Sequence, residues 1–342
     1  MRHVNIPIFI PHLGCPNQCV FCNQRSISGV NSFEANDVIK IIDNALSTVE
    51  NDAEVEIAFF GGSFTGIDRD LMISLLEIGH SYILNGRVKS LRCSTRPDYI
   101  DEEIIDLLKK YGVKTVELGI QSCSEKVLSI TKRGHNFEAE KKSCKMLVDS
   151  GIKLVGQMMI GLPMSDLACE IECAKFIIDS GAVGARIYPT VVFKETELYD
   201  MALNGSYRPL SIDDAVQRSA KVLDMFVAAG IEVIRIGLQS GDGLNDVSKY
   251  YAGPNHPALG ELVISELYYN RIEKCIEENT SSEDKAIIIY IPRGSMSKVV
   301  GQNKRNKNRL LKRFDSIRFV ESDKLMEYSV LVETYNGENK CI

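Results

Sequence analysis

The sequence has no tryptophan in 342 residues, so any stacking on a base or ring falls to Tyr, Phe or Arg. It also lacks an apolar run long enough to cross a bilayer. Its N-terminus, MRHVNIPIFIPHLG, carries a short apolar run without the ordered charged, apolar and cleavage-site regions of a signal peptide. That stretch reads as a first strand. The missing export signal sets the expectation of a cytoplasmic protein with reduced thiols and no membrane partner. Disulfides are not required, because a chain this long can bury a full core. Nor is there an excess of positive charge. The net charge of −6 excludes wholesale coating of nucleic acid but leaves room for local basic patches.

What is present is alternation. Strand-like apolar runs occur at IPIFIPH, EVEIAFF, SLRCST, TVELGIQ, IKLVGQMMIG, ARIYPTVV and IEVIRIGL, with amphipathic stretches between them. Val38, Ile41, Ile42, Ala45, Leu46 and Val49 form one apolar helical stripe. Gly112, Gly151 and Gly230 each follow a predicted helix and precede a β-branched run, where a helix C-terminus belongs. This is the pattern of an α/β fold with a parallel sheet, barrel-like or doubly wound. The rhythm breaks after Ser240. Residues 1–240 are therefore expected to form the main domain, and 241–280 a connecting loop and helix. Residues 281–342 are expected to form a small basic α+β appendage.

Ten cysteines in a reducing compartment call for metal, redox chemistry or burial. Three of them, Cys15, Cys19 and Cys22, crowd into GCPNQCVFCNQ. A structural zinc site wants four ligands, and no second loop-like pair follows; His12 is a poor fourth. A thioredoxin-like Cys-x2-Cys leaves Cys15 unexplained. Buried inert thiols do not cluster beside Gly, Pro and Asn. An iron–sulfur cube takes four thiolates, so three leave one iron with an exchangeable position. The spacing favours that reading, with Phe21 shielding the cluster from water. Cys144, Cys169 and Cys173 lie on apolar helix faces and read as inert.

Cys-x3-Cys-x2-Cys after a first strand resembles the radical S-adenosylmethionine (SAM) enzymes. The resemblance implies a partial (β/α)6 TIM-like barrel, a [4Fe–4S] cluster on Cys15, Cys19 and Cys22, and SAM chelated by the open iron. It further implies reductive cleavage of SAM to a 5′-deoxyadenosyl radical, with reduced flavodoxin or ferredoxin as the electron donor. In FFGGSFTG the resemblance assigns Gly61 and Gly62 to SAM's amino group. In CSTRPDYI, Ser94 and Thr95 are either SAM contacts or a helix cap. Glu117, Gly119 and Gln121 share one strand face, and the resemblance picks Gln121 for SAM. It places Arg133 near SAM's carboxylate and Gln157 at its ribose. Arg186, Tyr188 and Arg235 stand at strand ends, where barrel sites lie, and together with Glu117 on its strand face are candidate substrate contacts.

The order STRPD, VELGIQS, KRGH, GLP, RIYPT, ELY is similar to the Elongator catalytic-subunit family over residues 5–240. That family modifies wobble uridine in transfer RNA. It spaces its first two cysteines farther apart and carries an acetyltransferase domain. Here no Q/R-x-x-G-x-G/A loop follows the barrel, so that domain and its donor chemistry are not expected. From Arg293 to Arg318 there are nine basic residues and one acidic. A single-sign run suggests an anionic partner, RNA and in particular transfer RNA. The candidate phosphate contacts are Lys298, Lys304, Arg305, Lys307, Arg309, Lys312 and Arg313. The appendage is loosely KH-like, with GQNK in place of Gly-x-x-Gly and Lys304 at the second glycine. Two rivals follow: a radical SAM enzyme on a small molecule or tetrapyrrole, as in the coproporphyrinogen oxidases, and a non-catalytic RNA-binding protein stabilised by a metal.

Overall fold

The computed structural model describes residues 3–10, 15, 19–22, 35–50, 52–238, 249–281 and 283–335. His12 and the loop stretch 241–248 lie outside the described residues. The chain divides into two compact units, 1–211 with 225–255, and 212–224 with 256–342.

The first unit is a parallel sheet with helices between its strands. Its strands are β1 (His3–Ile10), β2 (Glu54–Gly61), β3 (Ser90–Thr95), β4 (Val113–Gln121), β5 (Lys153–Ile160) and β6 (Gly184–Pro189). After β7 (Val192–Phe193), strand β8 (Glu232–Ile236) completes the sheet, and β9 (Tyr250–Ala252) pairs with β7 alone. The sheet order is β1-β2-β3-β4-β5-β6-β8, every pair parallel. Its seven strands match the seven apolar runs and exceed by one the six of a (β/α)6 unit. Among the described residues β1 and β8 do not pair, so the curved sheet stays an open partial barrel.

The connecting helices are α1 (Ala35–Thr48), α2 (Arg69–Leu84), α3 (Glu102–Lys110), α4 (Glu125–Ile130), α5 (Phe137–Asp149), α6 (Leu167–Asp179) and α7 (Glu197–Leu203). In α1 the buried stripe is Val38, Ile42 and Leu46, while Ile41 is exposed. The real stripe is thus narrower than the sequence pattern. Four helices open on an acidic or amide cap: Asp68, Asp101, Asn136 and Asp166 accept from the backbone N–H three residues on. Gly112, Gly151 and Gly230 all have positive φ, as their predicted places require.

The second unit holds most of α8 (Ile212–Ala228) with α9 (Leu259–Asn279), β10 (Ala286–Pro292), α10 (Met296–Val300), α11 (Arg305–Leu310), β11 (Ser316–Ser322) and β12 (Leu331–Thr334). Strand β10 is central, parallel to β11 and antiparallel to β12. Ile287, Ile289 and Ile291 alternate along β10 and meet Tyr268, Ile272 and Ile276, one stripe of α9. Helix α9, expected within the connector 241–280, is therefore a core element of this unit. A buried amide ties the layers together: Asn306 donates to the Ser265 carbonyl at 2.8 Å and the Val299 carbonyl at 3.1 Å.

Candidate active site

The concave face of the first unit carries polar side chains brought together by strand register. Glu117 on β4 is 1% exposed and lies at the centre. Its carboxylate accepts from Arg186 Nη2 at 2.9 Å and from Gln157 Nε2 at 3.0 Å. Arg92 Nη2 lies 3.2 Å away and Arg186 Nε 2.6 Å away, the latter off the hydrogen-bonding line. Arg186 also packs over Phe60 and reaches the Tyr188 hydroxyl at 3.5 Å. Arg235 is the register partner of Arg186 on β8. Burial pushes the Tyr188 hydroxyl up, while Arg186 and Arg235 pull against it. Glu117, Arg186, Tyr188 and Arg235 thus form one neighbourhood, but Glu117 is already occupied by cations and an amide.

Strand alternation separates Ser94 from Thr95. Ser94 faces the concave side, with its hydroxyl 3.4 Å from Gln157 Nε2. Thr95 points the other way, into a buried knot with Thr65 at 2.6 Å and Ser63 at 3.4 Å. Ser63 also accepts from the Arg96 amide, so Thr95 belongs to the turn that opens toward Pro97. Gly61 has φ +115, and a Cβ there would lie 2.1 Å from the Ile10 carbonyl oxygen. The Gly62 amide donates to that same carbonyl at 3.3 Å. The Gly-Gly pair is therefore locked first to β1, which is a structural demand independent of any ligand.

The thiol loop is anchored at Val20. Its amide donates to Thr131 O at 3.2 Å, and its carbonyl accepts from Leu198 N at 2.8 Å. Val20 is buried with Val192, Leu198 and Tyr207, and Phe21 packs against the same group. Phe21 is thus part of this apolar anchor. Cys19 is buried, whereas Cys15 and Cys22 are half-buried. Burial raises the Cys15 thiol, with Arg96 and Arg133 opposing. Among the described residues no three His, Cys, Asp or Glu side chains converge on a point that could hold one metal ion. A lone zinc needs sulfurs about 2.3 Å from a single centre; a multi-iron cube spreads its thiolates over several irons.

Gln121 Oε1 and Arg133 Nε are buried without a hydrogen-bond partner, as are Arg92 Nε and Arg186 Nε around Glu117 and Glu140 Oε2 behind. Gln121 has φ 69, an uncommon conformation for a residue with a side chain. A Cβ on Gly119 would lie 3.1 Å from Gln121 Nε2 and 3.5 Å from both Arg133 Nη2 and Thr95 O, so the glycine leaves room between them. Donor, acceptor and space therefore fit a polar organic cofactor beside the thiol loop.

Sequence reasoning missed the residues behind this site. Arg96 is buried and grips Asp98 through two donors at 2.9 and 2.8 Å. It also donates to the Arg133 carbonyl. His135 bridges Asp98 at 3.4 Å and Glu140 at 3.1 Å. Burial works against a charged His135, but bonds to the two carboxylates raise its pKa. Burial pushes Glu140 up to about 8. The signal was available in STRPD and KRGH: three cations and an acid beside buried strand ends need partners.

The basic appendage residues divide. Arg309 meets Glu266 at 2.6 Å and sits 3.3 Å over the Tyr269 ring. Arg305 meets Asp213 at 2.9 Å, Lys298 meets Glu327 at 3.5 Å and Arg313 meets Glu273 at 3.9 Å. Lys304 and Lys312 are exposed and Lys307 is half-buried, and no ion pair among the described residues involves them. Lys304 has φ 59, the left-handed conformation that a glycine would take more easily.

The radical SAM superfamily model matches residues 9–177, and the Radical_SAM C-terminal domain model matches residues 182–269. The chain belongs to the radical SAM superfamily, and it is an enzyme whose cofactors are a [4Fe–4S] cluster and SAM. That removes the non-catalytic rival. Within the superfamily it resembles the Elongator catalytic subunits. It is 36% identical over 134 residues to the tRNA uridine(34) acetyltransferase of Methanocaldococcus jannaschii, which is 38% of this chain and 25% of that protein. It is 36% identical over 190 residues to Elongator complex protein 3 of Mus musculus, which is 50% of this chain and 35% of that protein. The chain thus matches only a quarter to about a third of these relatives' length. The archaeal Elp3 structure from Methanocaldococcus infernus shares the fold, with TM-score 0.61 and 24% identity over 80% of this chain and 63% of that one. Among the described residues no helix is long and apolar enough to cross a membrane.

Proposed function

We propose that this enzyme modifies a nucleoside in RNA, with transfer RNA as its substrate class, and that Cys15, Cys19 and Cys22 hold the cluster. The observation that carries the site is the pair of partnerless buried atoms, Gln121 Oε1 and Arg133 Nε, the latter on the guanidinium that donates to Cys19. SAM lies along the strand ends, against Gly61 and Gly62, Ser94, Gln121, Arg133 and Gln157. Thr95 supports the turn behind them. Cys15, Cys19 and Cys22 would hold the cluster, which would supply one-electron reductive cleavage of SAM to methionine and a 5′-deoxyadenosyl radical, with reduced flavodoxin or ferredoxin as the electron donor. Tyr188 and Arg235 present polar groups to the substrate, and Glu117 holds Arg186 in place beside them. The RNA reading is supported by relatives named as a tRNA uridine(34) acetyltransferase and as Elongator complex protein 3. Lys304, Lys307 and Lys312 are the cations left for phosphate, in a cytoplasmic setting.

The test is anaerobic reconstitution with iron and sulfide, followed by reduction with SAM present. The expected product is 5′-deoxyadenosine, lost when any of the three cysteines becomes alanine. RNA nucleosides from cells with and without the protein should then differ in one modified base. The pairing of Arg305, Arg309, Arg313 and Lys298 with acids favours a second reading, a small-molecule substrate. Under that reading the triple change Lys304→Ala, Lys307→Ala and Lys312→Ala leaves turnover unchanged, and nucleoside profiles do not differ.

A further inference from the structure

Cys19 sits between two guanidiniums. Arg133 Nη1 donates to its Sγ at 3.3 Å, and Arg96 Nη1 stands 4.0 Å from the same sulfur. Both arginines are buried, as are His135 and Glu140 behind them. The arrangement is tiered: Glu140 holds His135, His135 and Arg96 share Asp98, and Arg96 grips the carbonyl of Arg133. Arg96, Arg133 and Asp98 leave one positive charge uncompensated at Cys19. His135 and Glu140 stand a tier behind, on the far side of Asp98. A guanidinium that served only to pair with Asp98 would have no reason to face a thiol or to hold a second guanidinium against it.

We infer that Arg96 is a positioning residue that sets the reduction potential of the cluster, through its own charge and through Arg133, which it holds against Cys19. The inference rests on the proposed assignment of Cys15, Cys19 and Cys22 as cluster ligands. Its physical basis is general. Potentials of thiolate-bound clusters follow net charge, hydrogen bonds to sulfur and exclusion of solvent. Donors and positive charge on a ligand sulfur favour the state with one more electron. The step concerned adds one electron from a low-potential reductant and moves no proton. Nothing about Arg96 was legible as cofactor chemistry in the sequence, where it is one residue of a turn motif.

The experiment is an anaerobic redox titration of the reconstituted 342-residue protein without SAM, followed by electron paramagnetic resonance of the reduced cluster. Arg96→Gln should move the reduction equilibrium at least tenfold toward the oxidised form, about 59 mV for a one-electron couple. Arg96→Lys should recover most of that shift by restoring the charge. Asp98→Asn removes the compensating anion and should move the equilibrium the opposite way. A wild-type midpoint in both Arg96→Gln and Asp98→Asn would overturn the inference while leaving the cluster assignment intact. A wild-type protein that binds no iron would instead overturn the assignment beneath it. If Arg96→Gln cannot hold iron, Asp98→Asn decides: a shift toward the reduced form supports the inference, and no shift or the reverse refutes it.

Discussion

Replacing Glu117 with Gln is the most direct probe of how the concave face is built. The carboxylate is 1% exposed and has Arg186 Nε at 2.6 Å, Arg186 Nη2 at 2.9 Å, Gln157 Nε2 at 3.0 Å and Arg92 Nη2 at 3.2 Å. Glutamine keeps the shape but loses the charge and turns an NH2 group toward donors. Arg92 retains Glu56 at 3.4 Å, but Arg186 loses the only carboxylate paired with it among the described residues. Removing one member of a buried pair costs about 3–5 kcal/mol, because the other charge stays desolvated. At about 2–4 °C per kcal/mol for a unit of this size, the first unfolding midpoint should fall by roughly 6–20 °C. Thermal melts of the reduced apoprotein by circular dichroism measure it. The double change Glu117→Gln with Arg186→Gln should be less destabilised than the sum of the single changes. A fall below about 3 °C for Glu117→Gln, with strictly additive effects, would refute this account of Glu117 as the holder of Arg186.

Three further outcomes are expected. Gly61→Ala should abolish soluble expression or cost about 3 kcal/mol or more, since its Cβ would lie 2.1 Å from backbone at φ +115; Gly86→Ala, with open space around it, should cost only about 1 kcal/mol and serves as the control. Arg309→Ala should destabilise the second unit by about 2 kcal/mol through loss of Glu266 and the Tyr269 ring, whereas Lys304→Ala and Lys307→Ala should leave melting within about 0.5 kcal/mol and flatten the salt dependence of RNA binding. For Glu140, burial raises the folded pKa from its ordinary 4.5 to about 8, so the folded state holds the proton more tightly and stability falls as pH rises through that window. His135 carries the same sign, and the melting midpoint should be lower at pH 8.5 than at pH 6, with Glu140→Gln flattening the slope.

The strands were legible because a sheet buried on both faces leaves near-continuous apolar runs, and seven such runs became seven parallel strands. What pairs with what across the fold was not. The basic run looked free because its acids lie elsewhere in the chain: Asp213 is 92 residues from Arg305, and Glu266 is 43 from Arg309. A helix was expected within residues 241–280, but a helix read from sequence does not say which sheet it will cover; in the structure Tyr268, Ile272 and Ile276 of α9 pack on β10. The pairing of Ser94 with Thr95 is different, because there the signal existed. Adjacent residues on a strand point to opposite faces, so only one of the two could look into the concave side.

Between Glu117 and Gln121, satisfaction of the side chain's own acceptor atoms separates scaffold from binding surface better than residue type does. Glu117 and Gln121 both belong to β4, whose register shifts between Gly119 and Gln121, and both were candidates for contact with a small molecule. Glu117 has its acceptors filled by two arginines and an amide, so a ligand would have to displace an existing ion pair to reach it. Gln121 keeps a buried oxygen without a partner and holds a strained backbone angle. Leaving such an atom unpaired costs about 1–3 kcal/mol. That cost is recovered only if a donor arrives, and an ammonium or hydroxyl of a bound cofactor is the chemistry that supplies one. Arg133 repeats the case with the opposite polarity: its Nε has no acceptor while its other nitrogens hold Cys19 and the Gly119 carbonyl. One missing donor and one missing acceptor, on two side chains that both reach over Gly119, call for a zwitterion.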